Sequence, residues 1–215
     1  MPALGATFAI LVALTLANEA GFLSSAQQIV SNEAGDSARL AWAATMPGVR
    51  REQIQTALAG YLRATRKYEW HGASAANGDD PATSHAVRRL EEVVRTQASR
   101  SDLGTPSSSE LLGAVDALAS DRRARLAAAS HEPPGLYVIT LAISGAALIA
   151  NAAALTIRTR RRVALLIGGL TIVIGLSLAL LFALGTPWRG AIVVSGHPID
   201  TVIHDIATGY FRAGG

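Results

Sequence analysis

Hydrophobic and polar positions are segregated along this chain. Gly135 to Ile157 and Val163 to Pro187 are apolar runs without one charged residue. As a helix the first measures roughly 34 Å, enough to cross a hydrocarbon core of about 30 Å, and the second is at least as long. Only a short Arg-rich connection separates them, which predicts an antiparallel hairpin of membrane helices. The competing interpretation is a buried hairpin of a soluble core, but two adjacent runs of this length are uncommon there. A third apolar stretch, Ala3 to Ala17, is interrupted by Asn18 and Glu19 and resumes at Ala20-Gly21-Phe22-Leu23. A secretory signal peptide is the alternative there, yet no positive residue precedes the apolar run. The expectation is a membrane helix over residues 3–23 that continues into the polar region.

The polar stretch from Ser24 to Pro134 has nearly balanced charges and predicts four helical segments outside the membrane. The first continues to about Thr45 and breaks at Pro47-Gly48. The second runs from about Val49 to His71, with Ile54, Leu58, Tyr61, Leu62 and Thr65 on one face. After a loop from Gly72 to Pro81, Asp80-Pro81 has the form of a helix start, and Val87, Leu90, Val94 and Gln97 repeat at helical spacing. Ser107 and Glu110 have capping-box spacing and predict the start of the fourth helix, which ends before Pro133-Pro134. No strand pattern stands out. Residues 188–215 form a tail in which Trp188 and Arg189 suit a membrane–water interface. Its last helix starts at His197-Pro198, with Ile199, Val202, Ile203, Ile206 and Tyr210 along one side. That helix lies either on the membrane surface or against the soluble helices. The fold class expected is therefore an all-α membrane protein, with three transmembrane helices and an extramembrane helical bundle between the first and second.

Small residues add a second pattern. Gly5, Ala9, Ala13, Ala17 and Gly21 recur every four positions, as do Ala142, Ala146, Ala150 and Ala154. In lipid, such stripes let helix backbones approach closely. An alanine-rich chain also produces such ladders by chance, and the glycines at both ends make the first stripe the more telling.

Composition changes this picture little. Half of the residues are hydrophobic and 16% are charged, against roughly 25% charged in soluble domains. The absence of cysteine excludes disulfides and thiolate chemistry. The one dense basic cluster, Arg158, Arg160, Arg161 and Arg162, sits between two apolar runs. It reads as a topology signal, and no nucleic-acid partner is expected.

Three groups of residues carry a family resemblance. The first is Glu33-Ala34, Leu40, Pro47, Arg51, Leu58, Tyr61 and Glu69-Trp70. The second is Asp121-Arg122-Arg123-Ala124-Arg125-Leu126, leading to Pro133-Pro134. The third is Pro187-Trp188-Arg189-Gly190-Ala191-Ile192-Val193-Val194-Ser195 with Pro198. In this order, framed by these helices, they resemble the bestrophin-like domain family of bacterial integral membrane proteins. Thr186 stands where the family usually has arginine, and the usual preceding acidic residue is absent. The family also usually has a further membrane helix before the one at Ala3. The resemblance implies a multi-pass protein of the bacterial inner membrane, a homo-oligomer in the lipid bilayer, and by analogy with the remotely similar bestrophins an anion channel. The motif residues Glu33, Pro47, Tyr61, Glu69, Trp70, Arg122, Arg125, Pro187 and Gly190 are expected to be structural. A membrane-anchored sensor or scaffold, whose helical domain binds a ligand or partner protein, is the alternative.

Catalytic motifs are absent: there is no Gly-x-Ser-x-Gly, Walker loop, dinucleotide fingerprint or His-Glu-x-x-His. No enzyme activity and no cofactor are expected. His197, Asp200 and His204 share a helix face by spacing, but three groups without a fourth ligand make a thin metal set, and no metal is expected. Trp70 reads as a packing anchor, Glu69 as the partner of a nearby arginine such as Arg66, and Glu33 as paired within the bundle. Asn18, Glu19 and Asn151 are the candidates for a pore or helix interface, because polar groups at membrane depth are costly. If the first helix ends early, Asn18 and Glu19 sit instead among headgroups, and a negative Glu19 would repel anions from a pore. Two orientations stay open. Positive-inside places Arg158 to Arg162 in the cytoplasm and the soluble domain outside, whereas the resemblance places the soluble domain inside.

Overall fold

The computed structural model describes residues 2–70, 79–130, 135–156, 161–185, 188 and 193–212. Among these residues there are seven helices and no strands: α1 (Pro2–Ala43), α2 (Arg51–Tyr68), α3 (Pro81–Ala98), α4 (Thr105–Ala129), α5 (Gly135–Thr156), α6 (Arg161–Gly185) and α7 (His197–Thr208). They form two units. One comprises Met1–Ser24 and His131–Val193, the other Ser25–Ser130 and Val194–Gly215, so that α1 contributes to both.

In the first unit, Phe8 of α1, Leu141 of α5 and Ile174 of α6 form a small core. Val12, Leu16, Leu148, Ile149 and Leu178 pack around it. Gly145 allows this approach: a Cβ there would lie 2.9 Å from Ile174 Cγ2 and 3.7 Å from Phe8 Cε2. The outside is apolar, with Ile10, Leu14, Ile139, Ile143, Ile172, Val173 and Leu176 all exposed. Water disfavours so continuous an apolar surface, whereas lipid tails match it. By length and composition one described stretch, Phe8–Ala43, is long and apolar enough to cross a membrane. Ile139–Ala150 and Thr171–Leu180 are shorter apolar helical stretches.

The second unit follows from amphipathic helices. Ile54, Leu58, Tyr61, Leu62 and Thr65 of α2 are buried, as are Val87, Leu90, Val94 and Gln97 of α3. This is the 3.6-residue repeat turned into one packed face per helix. Gln97 Nε2 donates to Gln53 Oε1 at 2.9 Å, and the Arg50 N–H donates to Gln97 Oε1 at 3.3 Å. These bonds join the start of α2 to the end of α3, so the two helices run antiparallel. After α1 the chain turns through Gly48, whose φ of 82° is the left-handed conformation that favours glycine. Asp80 caps α3 by accepting from the N–H groups of Ala82 (2.8 Å) and Thr83 (3.4 Å), with Pro81 in the first turn.

Two sequence expectations are corrected here. α4 starts at Thr105 with Gly104 as its N-cap and no side-chain cap. Glu110 is drawn instead to Arg39 of α1, with bonds of 2.7 and 3.1 Å, so the Ser107–Glu110 capping box does not form. On α7, Ile199 and Val202 are buried and the helix packs against α2, but Tyr210 lies beyond the helix end and is exposed. Arg66 of α2 ties α7 down by donating two hydrogen bonds to the Asp200 carboxylate, Nε to Oδ1 at 2.8 Å and Nη2 to Oδ2 at 3.0 Å. Gln55 Nε2 donates to the carbonyls of Ala41 (3.2 Å) and Phe211 (3.0 Å) and so holds the tail after α7.

Candidate functional site

The most concentrated chemistry lies in the second unit, where distant motif residues converge. α1 delivers Glu33 and α2 delivers Tyr61; the turn after α2 delivers Glu69 and Trp70. The three-residue spacing of Arg122 and Arg125 turns both inward from α4, while Arg123 between them is exposed. Arg125 and Tyr61 are fully buried, and Glu33, Glu69 and Trp70 are at most 1% exposed.

Arg125 is the centre. Its Nε donates to Glu33 Oε2 at 2.6 Å and its Nη2 to Glu69 Oε2 at 2.9 Å. A longer contact of 3.5 Å joins Nη2 to Glu33 Oε1, which also accepts from the Tyr61 hydroxyl. Arg122 Nη2 donates to Glu69 Oε1 at 2.6 Å, and at 3.0 Å each to Asp79 Oδ1 and Ser84 Oγ. The Asp80 N–H also donates to Glu69 Oε1, at 3.2 Å. Trp70 packs beneath two guanidinium groups, with Arg66 Cζ 4.7 Å and Arg125 Cζ 5.8 Å from its ring.

Electrostatics follow this wiring. Burial works against the Arg125 charge, yet the Glu33 and Glu69 carboxylates hold its pKa above the ordinary value. Arg122 is raised in the same way by Asp79 and Glu69, against the effect of burial. The Tyr61 phenol is pushed well above 10, first by burial and then by the Glu33 charge, and stays a hydrogen-bond donor. Asp79, near the surface, is lowered by its bonds to Ser84 and Arg122. Beside this lattice, Asp121 faces Asp36. Burial, the bond to Asp36 and the charges of Asp36 and Glu33 push its carboxyl up to about 6. Such a lattice is expensive to desolvate and gains back that cost only through well-formed bonds, which here link α1, α2, α3 and α4. Arg125 Nη1 and Arg122 Nε make no hydrogen bond among the described residues, so the lattice has spare donors.

The expected pairing of Glu69 with Arg66 is corrected: Glu69 bonds Arg122 and Arg125, and Arg66 bonds Asp200. Proximity in sequence favoured Arg66, whereas helix packing brings in arginines more than fifty positions away. With Asp200 held by Arg66, His197 and His204 lose their carboxylate. Among the described residues no group of three or more His, Asp or Glu could hold a metal ion. Asp36, Asp79 and Ser84 were missed from sequence, having no motif of their own; Asp121 opens the second motif, but nothing local shows that it faces Asp36.

In the first unit Asn18 is exposed, whereas Glu19 is 2% exposed with Oε2 lacking a hydrogen bond among the described residues. Ala9, Ala13, Ala17 and Gly21 are exposed, as are Ala142, Ala146 and Ala150. Packing within the unit therefore uses Phe8, Val12 and Leu16, not the small stripe. Pro47 lies in the turn after α1. Pro187 and Gly190 lie outside the described residues, as do the side-chain surroundings of Gly5, Asn151 and Ala154.

Compared with known proteins, the chain matches no curated protein and no solved structure. Residues 1–199 match the family model of the bestrophin-like domain, which thus takes in the apolar helices, the buried lattice and the start of α7. A match over nearly the whole length shows that this chain belongs to the bestrophin-like family.

Proposed function

We propose that the chain is a three-pass protein of the bacterial inner membrane that assembles with copies of itself and conducts anions. α1, α5 and α6 would be its membrane helices, and the second unit a helical bundle in water. The observation that carries the reading is the division of labour on α1. Its large residues Phe8, Val12 and Leu16 are used against α5 and α6, while Ala9, Ala13, Ala17 and Gly21 stay exposed. In lipid that unused small face suits close association with another copy. Asn18 flanks the same face and is exposed, whereas Glu19 is turned inward. A path between copies would then meet a neutral amide, which can donate to an anion, and not a repelling carboxylate. Family membership supplies the analogy with anion conduction.

The test is chloride flux into liposomes containing the full chain, with a gluconate control and an Asn18→Leu variant. A stable oligomer that passes no more chloride than empty vesicles ends the reading. A second reading, a membrane-anchored sensor or scaffold, is favoured by the 42 unbroken residues of α1, which belong to both units. It predicts a monomer or dimer in detergent, whereas the channel requires a ring of subunits.

A further inference from the structure

A groove of about 830 Å³ runs between α2 and α3, and no residue of the buried lattice lines it. Its size falls within the ~300–1,000 Å³ of small-ligand sites. Gln53, Ala57 and Gly60 line it from α2, with Thr56 and Arg63; His85, Ala86, Arg89 and Val93 line it from α3. The bond between Gln53 and Gln97 sets the register of the antiparallel pair. Ten residues onward along α2 is Arg63; ten residues back along α3 is position 87. Arg63 therefore lies level with His85 and Arg89, so three basic residues line the same end of the groove. Glu52 is at the other end, about 16 Å along α2 at 1.5 Å per residue.

Two features mark this cluster. Arg39, Arg66, Arg95, Arg100, Arg122 and Arg125 are all engaged with carboxylates; Arg51 and Arg123 are not, but neither of them lines this groove. Arg63, His85 and Arg89 have no hydrogen bond or ion pair among the described residues, and all three are exposed. The floor is also kept open without a packing reason. A Cβ at Gly60 would meet no heavy atom within 4 Å, so α3 does not require glycine there. Glycine is the weakest helix former after proline, and its place in mid-helix leaves room in the groove.

We infer that the α2–α3 groove binds a small soluble oxyanion, a phosphate- or carboxylate-bearing molecule whose anionic group is held by Arg63, Arg89 and His85. Two arginine forks offer the planar donor pairs that such groups accept. The site belongs to the second unit and does not depend on ion conduction.

The probe is inorganic pyrophosphate, titrated by calorimetry into the full chain in detergent. Saturable binding is expected, weakening at least ~10-fold in Arg63→Ala/Arg89→Ala. Gly60→Leu, which keeps every charge and fills the floor, is expected to weaken it comparably. Arg95→Ala, outside the groove, is expected to leave it unchanged. Circular-dichroism melts report whether each variant is folded; the exposed arginine positions keep the test valid if Gly60→Leu is not. No saturable binding by the folded parent overturns the inference, as does binding indifferent to the arginine pair. Binding confined to anionic-lipid vesicles also overturns it, by assigning the arginines to headgroups. Loss of an oligomer in Gly60→Leu overturns it by assigning the groove to a second copy.

Discussion

Arg125→Met tests the buried lattice most directly. Methionine roughly fills the space but removes two short charged bonds, to Glu33 at 2.6 Å and to Glu69 at 2.9 Å. The consequences for the two acids differ. Glu69 keeps Arg122 and the Asp80 N–H. Glu33, fully buried, keeps only the Tyr61 hydroxyl. Removing one partner of a buried pair costs about 3–5 kcal/mol, because the other charge is left without compensation. Against a total stability of roughly 5–15 kcal/mol this is a large fraction. Arg122→Met should cost less, about 1–3 kcal/mol: Glu69 retains Arg125, and the side chain of Asp79 is 68% exposed and returns to water. The assay is urea unfolding of the full chain in detergent, followed by circular dichroism, for both single variants, for Glu33→Gln and for Arg125→Met/Glu33→Gln. The double variant should be less damaged than the sum of its singles by at least ~1 kcal/mol. A cost below about 1 kcal/mol for Arg125→Met, or a larger loss in Arg122→Met, would refute the assignment of Arg125 as the centre.

Three further outcomes follow from the same geometry. Tyr61→Phe should cost about 1.5–3 kcal/mol in the same unfolding assay, since Glu33 Oε1 keeps only the 3.5 Å contact to Arg125. Asp121 is raised to about 6 by burial, Asp36 and Glu33. The native state therefore holds more protons than the unfolded chain between roughly pH 4 and 6, and this group favours folding less as pH rises through that window. Asp121→Asn should thus melt higher than the parent at pH 7.5, by roughly 2–4 °C, with the gap closing toward pH 4; a gap independent of pH contradicts this. In the first unit, Gly145→Val should lower the melting temperature in detergent because Ile174 Cγ2 lies 2.9 Å from the new Cβ. Gly175→Ala, with nothing within 4 Å, should be neutral or stabilising.

Sequence alone was enough for α2 and α3, though not for the start of α4. The buried faces of α2 and α3 can be read from the period of their apolar residues, and the start of α3 from Asp80-Pro81, because periodicity and capping act within a few residues. Six residues at the centre of the lattice were also visible, as motif positions: Glu33, Tyr61, Glu69, Trp70, Arg122 and Arg125. Their wiring was not. Glu69 has Arg66 three positions away on a neighbouring turn, yet its partners come from α4, more than fifty residues distant. Sequence distance ranks local pairs first, whereas a buried carboxylate takes whichever guanidinium the packed helices bring to it. The groove likewise has no signature in the chain, since it depends on the register that Gln53 and Gln97 set between two helices. On α1, spacing identified a small face and two polar residues; tertiary packing decided that Phe8, Val12 and Leu16 turn inward with Glu19 while the small face and Asn18 stay outside. Local chemistry fixes what each helix presents, and only the meeting of helices fixes which charge answers which.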